Sequence, residues 1–365
     1  MGLIVLAFSS LARPGICIMM NEGAQSVSSV KRSARARETA MKRTLSMLLS
    51  ALAAGGFAAA PGTSTSQEKV TYLFPAPPML PAFGPIRLAQ GKGYFKAEGL
   101  DVEFQVAKGG VDVAKQVGAG NAPLGGILGD GPILVRPQGI PMKGVALFGG
   151  RGFMQLVVRE DAGITDPKQL KGKDVSVMAF QDTTYYVLQG VLARVGLSIK
   201  DVNAQAAGPV GVWQLVAQGK AVACACVPDW IPLITATGTK VKIIQSFDYF
   251  PSMTQAIGAS DKVIKENPEM VRKFVRAALK GMKDIMDDPK KAAADFANIE
   301  PAWKGKEAAV DYAFKYYADY VYPGQPKLGM FDANRMAAVQ DFYIKEKIIP
   351  SGSKVEDLFT NQFVE

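Results

Sequence analysis

Apolar and polar residues alternate through Val102, Glu103, Phe104, Gln105 and Val106, the period of a strand with one buried face. Immediately upstream, Arg87, Leu88, Ala89 and Gln90 suit a helix, and Gly91 and Gly93 give it places to stop. Residues 87–110 therefore read as the first helix-to-strand unit of an open α/β domain. An apolar strand is expected before it at 70–74, after which Pro75, Pro77, Pro78 and Pro81 exclude the chain from the sheet and make a loop. A helix over 82–90 connects that loop to the unit. The pattern continues with a short helix at 111–117, an apolar glycine-rich run at 121–129, a helix at 132–137 and a strand at 143–148. Asp130 is placed to cap the last of these helices, and Pro132 falls at a tolerated first-turn position.

Gly149, Gly150 and Gly152 then precede an apolar strand at 154–158, which reads as a crossing into a second lobe. That lobe repeats the logic of the first. Strands are expected at 174–178, 203–206 and 222–227, with a loop at 179–182, helices at 183–195 and 210–218, and a proline-led helix from 228. Val187, Val191 and Val195 share one face of the helix at 183–195, which Gly196 stops. Ile243 and Ile244 close this sheet, and 252–257 returns the chain to lobe one. From Asp261 onward the pattern is helical, and the stripe Val310, Phe314, Tyr317 reads as core. These helices would cover the outside of lobe one and buttress both lobes. The expected fold is α/β, with two lobes joined by two extended crossings and a ligand cleft outside the carboxyl ends of the strands. The expected boundaries are 67–152 for the first part of lobe one, 153–248 for lobe two, and 249–365 for the return to lobe one and the C-terminal helices.

Composition narrows the function. Of the net charge of +9, seven basic and two acidic side chains in residues 1–60 carry +5, which leaves +4 for the rest of the chain. No cluster of Lys and Arg interleaved with aromatics marks a nucleic-acid surface. From Met41 the order is a basic MKR, an apolar TLSMLLSALAAGGF and a small-residue AAAP, the pattern of a signal peptide cleaved near 58–60 and followed by a linker. The apolar run is too short and glycine-rich for a membrane span. Residues 1–66 are therefore expected to be upstream extension, signal peptide and linker, with export to the periplasm. The chain has no histidine, so it has no imidazole for a nucleophile triad or a two-histidine metal site. Cys224 and Cys226 alternate in a strand, which would place them on opposite faces, unpaired with each other and without partners for a metal. No catalytic, cofactor-binding or metal-binding residue is expected.

The segments GKGYFKAEGLDVEF, GAGNAPLGGILGDGP, LVVREDAGITDPKQLKGKDVSV, GVLARVGLSIKDV, WQLVAQGKAVACACVPDWIP and NPEMVRKFVRAALKG occur in that order. Together they resemble the nitrate/sulfonate/taurine (SsuA/THI5-like) family of ABC-transporter periplasmic substrate-binding proteins, over roughly 70–296. The family also holds proteins that bind thiamine pyrimidine precursors or aromatic carboxylates. The resemblance implies a type II periplasmic binding protein. It would be a monomer that closes on a small solute and hands it to a permease with its cytoplasmic ATPase, meeting the inner membrane only through that permease. It assigns Gly93, Tyr94, Phe95, Glu98, Gly99 and Leu100 to a structural turn. It points Phe74 and the loop after it, Asp130 and Gly131 at the ligand from lobe one, and Gln181, Asp182, Thr183, Thr184, Asp229 and Trp230 from lobe two. Two departures stand out: Pro123 where the family often has an acidic residue, and Phe180 to Asp182 where a glycine often precedes the hydroxyl pair.

The helix start at Thr183 and Thr184 could hold an oxyanion through free amides, or its side chains could serve only as caps together with Asp182. Trp213 and Trp230 could be wall or core, and Phe83, Tyr185 and Tyr186 are candidates for stacking. Asp130, Asp182, Asp229 and Asp248 set carboxylates near the cleft against the single cation Arg151. A bare anion such as nitrate would be penalised there. A small organic solute is expected: pyrimidine-like, an aminosulfonate or sulfonate, or an aromatic carboxylate. A sensor presenting solute to a membrane receptor is one alternative. An enzyme of pyrimidine-precursor metabolism is the other, although the family's eukaryotic branch consumes one of its own histidines and this chain has none.

Overall fold

Strand β1 (Glu68–Phe74) pairs in parallel with β2 (Leu100–Val106) along its whole length, and with β3 (Leu124–Leu128) near its end. On the far side lies β4 (Met142–Leu147), and between β3 and β4 runs the antiparallel β10 (Gln255–Ser260), giving the order β2-β1-β3-β10-β4. The second sheet contains β5 (Gln155–Arg159), β6 (Asp174–Val177), β7 (Asn203–Ala206), β8 (Ala223–Cys226) and β9 (Val241–Gln245) in the order β7-β6-β8-β5-β9. Strand β5 is antiparallel to both neighbours, while β6 runs parallel to β7 and β8. Each sheet thus takes as its antiparallel member the strand that has just crossed from the other. This computed structural model describes residues 67–180 and 182–364. The signal-peptide and linker reading of 1–66 and the site candidate Gln181 lie outside the described residues, as does the side chain of Thr183.

Local chemistry explains why lobe one folds this way. Gly93 (φ 74°) and Gly99 (φ 77°) adopt the left-handed backbone that lets the chain turn from helix to strand. Between them Phe95 is buried and stacks on Phe274, with centroids 4.6 Å apart. Phe274 in turn stacks on Tyr72 at 5.2 Å. The signature turn is therefore a clamp between β1 and the helix Pro268–Asp287, consistent with its structural assignment. Strand β3 is buried throughout, and a Cβ on Gly125 would fall 2.3 Å from Val113 Cγ1. This glycine lets the helix Gly110–Gly118 lie flat on the sheet.

The C-terminal helices reach both lobes. Tyr316 Oη, at the end of the helix Glu307–Tyr316, donates to Gln245 Oε1 on β9 at 2.8 Å. The chain then forms a π-helical turn, Tyr317–Val321. Arg335, in the helix Ala333–Lys345, donates to the carbonyl of Gly150 on the first crossing and to those of Pro251 and Ser252 on the second.

Two local expectations need correction. Cys224 and Cys226 are joined as a disulfide. Their Cα atoms are 5.3 Å apart, closer than the roughly 6.6 Å that two residues of an extended strand span, so the alternation that separates side chains is locally compressed. Asp130 does not cap the helix Gly131–Val135 with its side chain, because its Oδ2 accepts from Tyr343 Oη instead. Tyr317 is a core residue as expected, and its hydroxyl also donates to Asp229.

Candidate functional site

A cleft lined by residues of both lobes lies between the two sheets. Lobe one supplies Tyr72, Ala82, Phe83, Ile86, Ile127 and Leu128, and lobe two supplies Phe153, Met154, Met178, Asp182, Thr184 and Trp230. Among the described lining residues no lysine or arginine appears, and Asp182 is the sole carboxylate. The walls are thus apolar and aromatic with a few polar groups, the usual make-up of an organic-ligand pocket.

Asp182 sits at the start of the helix Thr183–Arg194. Its Oδ1 accepts from the Thr184 amide at 2.9 Å and from the Thr184 hydroxyl at 2.8 Å. That hydroxyl also accepts from the Met178 amide at 3.2 Å. Thr184 therefore caps and braces its own loop while lining the cleft. The other carboxylate oxygen of Asp182 faces lobe one: a Cβ added to Gly109 would lie 3.2 Å from Oδ2.

Asp229 follows β8 and starts the helix Trp230–Thr235. It is only 2% exposed. Its Oδ2 accepts from the Ala82 amide of lobe one at 2.7 Å, and its Oδ1 from Tyr317 Oη at 2.6 Å. Burial pushes its carboxyl up to about 6, against the opposing pull of those two hydrogen bonds. Trp230, next in sequence and equally buried, forms part of the cleft wall.

Asp130 is fully buried behind the cleft, and its Oδ1 has no hydrogen-bond partner among the described residues. Burial raises its carboxyl and the nearby Asp182 charge adds to this, while Tyr343 and Arg335 pull the other way. Phe74 is buried behind Phe83, with centroids 4.8 Å apart. Gly131 opens its helix against Ile127, which a Cβ there would approach to 3.3 Å. Of the ten site candidates, Phe83, Asp182, Thr184 and Trp230 line the cleft, and Phe74, Asp130, Gly131 and Asp229 support it from behind.

The electrostatic picture changes in two respects. Asp248 is exposed and borders a separate surface groove with Arg194 and Lys345. Arg151 is also exposed, over the Phe247 ring at 5.8 Å. Between the two crossings lies the half-buried Arg335, which donates to carbonyls of both. Trp213 is half-buried on the helix Gly208–Ala217, and Tyr185 packs edge-on against the exposed Phe180 at 5.4 Å. Tyr317, Arg335 and Tyr343 were not legible as site residues. For Tyr343 the available signal was a hydroxyl at the end of the buried stripe Met336, Val339, Tyr343, where a phenol normally finds a partner.

Comparison with known proteins places this geometry. A riboflavin-binding protein, RibY, of Chloroflexus aurantiacus is 26% identical over 84% of this chain and 89% of its own length. A 4-amino-5-hydroxymethyl-2-methylpyrimidine phosphate synthase of Saccharomyces cerevisiae is 24% identical over 70% of this chain and 79% of its own. The alkanesulfonate-binding protein SsuA of Xanthomonas axonopodis pv. citri, solved with MOPS, superposes with a TM-score of 0.63 at 16% identity, covering 81% of this chain and 98% of that one. The two sheets, their paired crossings and the intervening cleft are the periplasmic-binding-protein fold. The family model described as NMT1/THI5 like matches residues 80–292, more than half of the chain, and the protein belongs to that family.

Proposed function

We propose that the protein is a periplasmic solute-binding protein of an ABC importer, which closes its lobes on a flat, pyrimidine-like organic solute and presents it to a membrane permease. The observation that carries this reading is the cleft wall: aromatic and aliphatic side chains from both lobes, one carboxylate, and no cation among the described lining residues. A sulfonate or carboxylate would lie beside the Asp182 carboxylate with no lysine or arginine among the described lining residues, an arrangement that a closed, partly dry site penalises. A neutral heteroaromatic ring with N–H donors suits it. The riboflavin-binding and pyrimidine-synthase names of its relatives point to the same ligand class. The absence of histidine favours binding over turnover. A thermal-shift and calorimetry panel of pyrimidines, riboflavin, taurine, alkanesulfonates, aromatic carboxylates and nitrate tests the reading. A pyrimidine or flavin should raise the melting temperature in a concentration-dependent way. Stabilisation by sulfonates alone would overturn the ligand class, and product formed during incubation would overturn the non-enzymatic role.

A further inference from the structure

We propose that Asp229 is the latch of the cleft: a positioning residue that holds the two lobes together through Ala82 and Tyr317 and does not itself touch the solute. Both carboxylate oxygens are engaged, one by a lobe-one amide and one by a hydroxyl of the C-terminal segment. Each partner adjoins the cleft wall. Ala82 lines the cleft directly, and the Tyr317 ring stacks on Phe153, another wall residue, with centroids 5.8 Å apart and planes 12° from parallel. On the lobe-two side Asp229 is followed at once by the wall residue Trp230. One carboxylate thus connects three pieces of wall that separate when the lobes part. This role rests on the reading that the lobes close around a solute.

The latch carries a pH dependence. Closed, the carboxyl is buried and pushed up to about 6; opened to water, it returns to the ordinary carboxylate range. The closed form therefore binds the proton more tightly. Closure strengthens as pH falls through 6 and levels off below the open-state value, with a span on the order of 100-fold in the open/closed ratio. The groups facing Asp229 from the π-turn and the residue after it are Tyr317 and Tyr322, both buried phenols raised by that burial. On the elements packed against the Trp230 helix, Lys242, Glu307 and Lys315 are exposed and Asp311 is half-buried. Arg87, on the helix after Ala82, is ion-paired with Glu300. None of these charged groups shifts the carboxyl of Asp229.

Spin labels placed at the exposed Val106 of lobe one and Val210 of lobe two, in full-length protein carrying Cys17→Ser, report the lobe separation by pulsed dipolar spectroscopy without any solute. The short-distance population should grow between pH 8 and pH 5 in the wild type. Asp229→Asn keeps the shape and the Ala82 acceptor but cannot titrate, so its distance distribution should not respond to pH. Tyr317→Phe keeps the ring and removes the donor, and should shift the population towards open at both pH values. A distribution in Asp229→Asn that follows pH as the wild type does, or a wild type with no pH response, overturns the latch. Because no solute is added, that outcome is separate from failure of the ligand panel.

Discussion

At Asp130 burial and hydrogen bonding pull in opposite directions. The side chain has lost all contact with water, keeps Tyr343 as a partner on one oxygen, and leaves the other oxygen unpaired among the described residues. Its folded carboxyl lies above its ordinary value. A group raised on folding stabilises fully below its unfolded value, and that contribution is lost as pH rises through the folded value. Asp130→Asn should therefore be more stable than the wild type at neutral pH, with the advantage shrinking towards pH 4 in urea denaturation. Tyr343→Phe should cost about 1–3 kcal/mol in the same assay, since it strands a buried acceptor. Local pattern places Asp130 at a helix start as a cap, and the family resemblance points it at the ligand; neither indicates its partner Tyr343. That partner lies 213 residues away, and the partners of Asp229 lie 88 and 147 away, distances over which no local pattern speaks.

The elements themselves were largely legible. The strand at 203–206 and the helix starting at 183 follow from alternation and from a capping acid, and the helix Pro268–Asp287 follows from Asn267 before a proline, where the Asn267 side chain accepts from the Met270 amide. What local pattern could not convey was the compression of β8 that brings Cys224 and Cys226 together, since alternation assumes an extended strand. The start of the helix Gly110–Gly118 shows the same limit from the other side. Gly109 reads as a loop glycine, yet its φ of 102° and ψ of 167° lie where non-glycine residues are strained, and its missing side chain makes room for Asp182 of lobe two. Gly109→Ala should destabilise the fold by about 1–3 kcal/mol and push the Asp182 carboxylate back from lobe one. A melting-temperature loss much smaller than that of Tyr343→Phe would show that the strain is relieved by local adjustment.

At the scale of the whole molecule, the two lobes communicate through crossings that the C-terminal helix holds at three carbonyls. Arg335 is half-buried, and that burial pulls its guanidinium down to about 10, so it stays charged throughout the neutral range. Arg335→Ala should leave three carbonyls without their donor and raise hydrogen exchange across both crossings together, at Gly150 and at Ser252. Faster exchange confined to one crossing would mean that the two are held independently. The overall fold was readable because a strand-helix alternation followed by a purely helical tail admits few topologies. The tie between that tail and the crossings was not, because arginine at a helix surface looks the same in sequence whether it meets water or a hinge.

The placement of β10 has a consequence for biogenesis. It enters the first sheet between β3 and β4, yet it is synthesised after all five strands of the second. Until residues 255–260 leave the ribosome, β3 and β4 have no shared neighbour, and each offers an open edge of the kind that seeks stray partners. The second sheet needs no later strand and can form as one uninterrupted stretch. Lobe one is therefore the half whose assembly waits longest for its last strand, the part that a chaperone would have to shield and the part whose completion commits the chain to its final form.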